Sequence, residues 1–288
     1  MKDNRFKLTA FLAVALLAAG VAVGAASQSL KQSNREVSRA GGALRSSRLE
    51  GDIDLLLQNV VDRWYRTDGI TADVNWQVKL FGQSWGGNGQ YTQTGVGAMQ
   101  RHGIILQGTD PVAPIYFQQA ILASEPLLWT QWRTKIDESA SMVRLNQVVS
   151  SEQTMPRAGI AHLMWRMTQC YHFDTVDRVV QGDRQFLLIR GTKQGGETHE
   201  ACALPFLDRG ANGATLLLDA ASGFPHRIQW EAVTSKGRET LVNVELVNVR
   251  AGVSSNEDLL APKTIVPDAV DQTESYRMAV LSGAGGHY

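Results

Sequence analysis

The residues of this chain best suited to chemistry are two Cys-His pairs. Cys170-Tyr-His172 and His199-Glu-Ala-Cys202 together supply two thiols and two imidazoles, a legitimate zinc ligand set. Their spacing is not that of a known finger. The same two cysteines, the only ones present, would form a disulfide in an oxidising compartment or stay as buried thiols if they lie apart. The expectation is no metal, with Cys170 and Cys202 as a possible disulfide.

The second candidate is "FGQSWGGNGQY", residues 81–91, with Gly82, Gly86, Gly87 and Gly89. Glycine-rich segments cradle phosphate when their N–H groups open a helix. Here no helical pattern follows Gly89, and neither a P-loop Lys-Ser/Thr pair nor G-x-G-x-x-G spacing is present. The segment reads better as a hairpin. With Gly82-Gln83 as a type II′ loop, Leu80 would oppose Trp85, Val78 would oppose Gly87, Trp76 would oppose Gly89 and Val74 would oppose Tyr91. Large side chains across from bare backbone would let the sheet curl.

Signatures of catalysis are missing. There is no G-x-S-x-G and no H-E-x-x-H, and the six histidines are scattered. The expectation is a protein that is not an enzyme and takes no cofactor, with a secreted hydrolase built from distant carboxylates as an alternative. Lys plus Arg equals Asp plus Glu at 28 each, which removes the footprint of a nucleic-acid binder.

What positions these residues follows from patterning. Lys2, Arg5 and Lys7 precede the uncharged run Leu8 to Ala26, an export signal or N-terminal anchor over residues 1–26. Residues 27–50 are Ser- and Arg-rich and read as a polar tether. From Ile53 to Tyr65 apolar residues recur with helical spacing, closed by Asp68-Gly69. The period then changes to two: Val74, Trp76, Val78 and Leu80 share one face while Asn75, Gln77 and Lys79 share the other. Strands follow near 98–107, 114–123, 126–134 and 140–149. A helix at "MPRAGIAHLMWRMTQCY" carries Ile160, Leu163, Met164 and Met167 as its stripe. Strands resume near 173–181, 184–192, 213–219, 225–234 and 239–250. No βαβ rhythm appears, so the sheet should be antiparallel with one dry face. Aromatic and Met residues, Trp76, Trp129, Trp132, Met164 and Met167 among them, suit either a core or a soft apolar cavity.

The order of these elements resembles the LolA-type periplasmic lipoprotein carriers and their LolB- and LppX-like relatives. The resemblance runs over roughly residues 50–275 and is carried by the Ile53–Tyr65 helix, the "DVNWQVKLFGQSWGGNGQYTQ" hairpin, "EPLLWTQWRT", "MPRAGIAHLMWRM", "GFPHRIQWEAV" and "VDQTESY". It implies an α+β domain over residues 51–275: a strongly curved, incompletely closed antiparallel half-barrel with helices over its concave face, followed by a flexible tail over 276–288. It also implies a carrier of lipid or lipoprotein acyl chains near a membrane, in the periplasm or cell envelope. The cavity would be lined by Val74, Trp76, Val78, Leu80, Trp129, Trp132, Met164 and Met167. Carriers of this type hold the lid with an internal arginine; Arg66, Arg101 and Arg144 are present, but no motif selects one. An envelope-stress sensor or scaffold of the same fold, acting through protein contacts, is the other reading. Neither names a protein partner.

Overall fold

The structure, a computed structural model, describes residues 47–80, 83–96, 100–110, 116–121, 127–133, 138–145, 159–193, 211–254, 256, 259–260, 269–274 and 277. Helix α1 spans Ser47–Arg66, so it begins inside the stretch that reads as a tether. Its inward residues Ile53, Leu57, Val60, Val61 and Trp64 are all buried, whereas Leu55 on the opposite face is 57% exposed. The helix stops where Gly69 takes φ +65°, a conformation costly for any residue with a Cβ. A Cβ there would also lie 2.2 Å from the Val253 carbonyl oxygen.

Among the described residues twelve strands follow in one sheet: β1 Ile70–Leu80, β2 Gln83–Thr94, β3 Arg101–Gly108, β4 Tyr116–Ile121, β5 Leu127–Arg133 and β6 Glu138–Arg144, then β7 Tyr171–Gln181, β8 Arg184–Lys193, β9 Gly213–Asp219, β10 Pro225–Thr234, β11 Gly237–Arg250 and β12 Val270–Asp271. Helix α2, Gly159–Cys170, is the insertion between β6 and β7. Pro156, which opens the expected helix, lies outside the described residues. Strand order is β12-β6-β5-β4-β3-β2-β1-β11-β10-β9-β8-β7, antiparallel throughout apart from the short β12–β6 pair.

The sheet is open and strongly curved. Helix α2 touches both β3 and β7, which stand seven places apart in the strand order. Seven spacings of about 4.8 Å would separate them by ~34 Å if the sheet were flat, yet a 12-residue helix is only about 18 Å long. The strands must therefore curl around the helices. The concave core joins α1, α2 and the inward positions of β1, β9, β10 and β11, with Trp64, Trp230, Leu216, Ile228 and Leu246 at its centre.

The glycine-rich hairpin forms in a register two residues from the expected one. Leu80 pairs with Gln83, Val78 with Trp85, Trp76 with Gly87, Val74 with Gly89 and Ala72 with Tyr91. Gln83 is therefore a strand residue paired with Leu80, not the second residue of a Gly82-Gln83 loop. A shift of two preserves which residues share a face, so Trp76 still opposes a glycine, while Val74 faces Gly89 in place of Tyr91 and Val78 faces Trp85 in place of Gly87. The stronger demand for those glycines comes from β3. A Cβ on Gly87 would stand 1.8 Å from the Gln107 carbonyl oxygen, and one on Gly89 would stand 2.0 Å from that of Ile105. Both obstacles are backbone, which cannot swing aside. Gly87→Ala should lower stability by about 2 kcal/mol through overpacking, read as a shift in the urea midpoint. An unchanged midpoint would mean that β2 and β3 are not pressed together here.

Candidate functional site

The face that the helices cover is the candidate site. Val74, Trp76 and Val78 on β1 are at most 3% exposed and belong to the same packed cluster as Met164 and Met167 of α2. Trp76 and Met164 are therefore both buried within one filled core in this state. Leu80 and Trp132 are placed by register only, opposite Gln83 and Phe117; their side chains lie outside the described residues.

Trp129 is the exception in the expected set. It pairs with Ala120, which pairs with Gly103, so all three occupy the face away from the helices. Phe117, partner of Trp132, belongs to the concave core and Trp129 does not. The physical reason is parity: residues three apart on a strand point to opposite faces. Trp129 is nonetheless buried, as are Ile105, Gln118 and Gln131 on that same face. A second layer covers β3 to β5, and Leu259 belongs to it, its carbonyl oxygen 2.0 Å from where a Gly103 Cβ would lie.

Sequence reasoning missed a polar cluster beneath the helices. The Tyr91 hydroxyl donates to Gln93 Oε1 at 2.7 Å, and Gln93 Nε2 donates to the carbonyls of Trp64 and Thr67, both at 2.9 Å. Gln100 Nε2 donates to the Tyr65 carbonyl at 3.3 Å. These bonds take up carbonyls that the end of α1 leaves without intrahelical partners. The Ile160 N–H of α2 reaches the Tyr91 oxygen, although burial dominates and pushes the Tyr91 phenol up. His102 stacks beside Tyr91 with ring centroids 6.3 Å apart. Gly159, at φ +76°, lets α2 start against both rings; a Cβ would meet the Tyr91 oxygen at 3.1 Å and His102 Cγ at 3.2 Å.

His102 is fully buried, and burial lowers its pKa to about 4, partly offset by Gln119. Gln119 Nε2 donates to Thr130 Oγ1 at 3.1 Å, which turns Gln119 Oε1 toward His102 Nε2 at 3.2 Å. The proton of the neutral ring is thereby assigned to Nε2. Polar residues at inward positions look, in sequence, like ordinary outward ones. Only the strand partners reveal that Gln93 and His102 face the helices.

Cys170, at the end of α2, is disulfide-bonded. Cys202, the only other cysteine of the chain, lies outside the described residues. An oxidised Cys170 cannot serve as a thiolate ligand, and among the described residues no three His, Cys, Asp or Glu cluster to hold a metal. Of the three arginines, Arg66 is exposed, Arg101 half-buried, and Arg144 half-buried with its Nε 3.4 Å from Asp271. Among the described residues no helix is long and apolar enough to cross a membrane.

Fold and site together define an open antiparallel half-barrel lidded by helices. No protein-family model and no curated protein matches the chain. Solved structures are similar at low identity. MucB matches 75% of this chain at 12% identity and a TM-score of 0.35, and the chain spans 64% of MucB's length. LprF from Mycobacterium bovis matches 76% of this chain and 98% of its own at 12% identity, TM-score 0.36. A LolA superfamily protein from Nitrosomonas europaea matches 73% and 99% at 10% identity, TM-score 0.28.

Proposed function

We propose that the protein is an exported, non-enzymatic binding module of the cell envelope whose concave face takes the acyl chains of lipid or lipoprotein when its helices move aside. The observation that carries this reading is the division of labour beneath the helices. Val74, Trp76, Val78, Met164 and Met167 form an apolar layer, while Gln93 and Gln100 fasten the end of α1 by hydrogen bonds. A cover held at one end by a few polar bonds can be displaced. Each buried CH₂ gains about 0.8 kcal/mol, so a chain of a dozen methylenes gains on the order of 10 kcal/mol against the cost of moving the helices. The charged, then apolar N-terminal run and the oxidised Cys170 support an exported protein.

One observation favours the other reading, a sensor or scaffold domain acting through protein contacts. Met164 is 0% exposed and Trp76 3%, so the apolar layer is occupied by the protein itself. Native mass spectrometry of protein purified without detergent, with titration of a fluorescent fatty-acyl probe, separates the two. Binding is expected, weakened about tenfold or more by Trp76→Ala in a variant that keeps its circular dichroism. If no lipid co-purifies and no probe binds, the carrier reading fails and the protein-contact reading takes its place.

A further inference from the structure

The glycine-rich hairpin also shapes the face turned away from the helices. There Asn75 pairs across with Asn88, and Asn88 with Gln107; Asp73 pairs with Gln90, and Gln77 with Asn243. Asn75, Gln77, Asn88, Gln90 and Gln107 are exposed. Gln77 Nε2 donates to Ser84 at 3.1 Å, but the side chains of Asn75, Asn88, Gln90 and Gln107 make no hydrogen bond to another described residue. Two hollows open on this face, of about 440 Å³ and about 430 Å³, and both are lined by Asn75 and Asn88. The second shares Asp73 and Gln90 with a third of about 200 Å³. The two larger hollows form one trough across β11, β1, β2 and β3. Gly86, lining the largest hollow, adds no side chain to fill it.

Asp73 is the one charged side chain lining these two hollows. Asp73 accepts from Asn248 Nδ2 at 2.7 Å, and Lys79, on the same face beyond Gln77, is paired with Glu239. No cation lines these two hollows, and the exposed Arg250 lines only the third, so a phosphate-bearing or acidic ligand finds no counter-charge beside Asn75 and Asn88. Strand addition by a peptide is not available either, because β11, β1, β2 and β3 are all interior to the sheet with their backbone groups paired. What remains is a row of carboxamides, each offering a donor and an acceptor, on strands about 4.8 Å apart. Hydroxyl pairs on successive sugar rings match that pattern, since each hydroxyl also donates and accepts.

We propose that this trough binds a neutral oligosaccharide, held by the side-chain amides of Asn75, Asn88, Gln90 and Gln107. The site is independent of the helix-covered face. The full-length protein is titrated by calorimetry with a β-1,4-linked N-acetylglucosamine hexasaccharide, with maltohexaose, and with an uncharged decapeptide of Gly, Ser and Asn. At least one hexasaccharide is expected to bind. Asn75→Ala/Asn88→Ala should weaken it about tenfold, as the loss of two neutral hydrogen bonds implies. Gln90→Ala/Gln107→Ala should do the same, with the unfolding midpoint and acyl-probe binding of both variants unchanged. Three results overturn the proposal: no saccharide binds, both double variants bind as tightly as the parent, or the decapeptide binds while the saccharides do not.

Discussion

Replacing Trp64 with alanine is expected to cost about 4 kcal/mol of stability, within the range for a fully buried tryptophan. Trp64 is 0% exposed and sits where α1 meets the sheet. Its ring lies edge-on to Phe224 at 5.0 Å between centroids and 6.0 Å from Tyr91. Its indole N–H reaches the Tyr91 oxygen at 3.5 Å. Truncation leaves a cavity between helix and sheet that the curved strands cannot close, because Phe224 and Tyr91 are each fixed by their own strand partners or turn. Leu55→Ala on the exposed face of the same helix is the control, expected within about 0.5 kcal/mol of the parent. Urea unfolding followed by far-ultraviolet circular dichroism checks both. If Trp64→Ala matches Leu55→Ala, the described packing of α1 on the sheet is wrong.

The second large effect is a loss of stability in mild acid. In the unfolded chain His102 protonates near 6.5, whereas burial holds it neutral in the fold until about 4. Between these values the unfolded state binds a proton that the folded state refuses, so protons favour unfolding. The contribution is fully present above pH 6.5 and is lost as the pH falls through about 4, amounting to about 3 kcal/mol at 1.36 kcal/mol per unit. Carboxylates begin to titrate near the lower end of this window, so the slope between pH 6.5 and 5 is the part to assign. His102→Gln, which retains a hydrogen-bonding group for Gln119, should flatten it. A slope that persists in that variant assigns the acid sensitivity elsewhere.

These two residues also mark what was legible in advance. Trp64 was readable: helical spacing from Ile53 to Tyr65 places it on the apolar stripe, and burial of that stripe follows from amphipathicity alone. The strands at 213–219 and 225–234 occupy the expected spans for the same reason, since alternation and flanking turn residues are local properties. His102 was not readable as a core residue, because Arg101-His102-Gly103 looks like the polar entry to a strand. Its inward orientation depends on pairing with Gln93, and its burial depends on α2 arriving from more than fifty residues away.

The hairpin shows where the line falls. Period two determined that Val74, Trp76 and Val78 share a face and that a glycine stands across from Trp76. It could not choose between registers two residues apart, because both preserve those faces. The same period, applied strictly, already separates Trp129 from Trp132. What no local pattern contains is that β3 presses its carbonyls against Gly87 and Gly89, that Leu259 covers Gly103, or that α2 spans from β3 to β7. Those contacts join segments far apart in the chain. They exist only once the sheet has curled, so burial of polar groups and the true role of the glycines were decided by the tertiary structure, while element type, face and order were determined by the sequence.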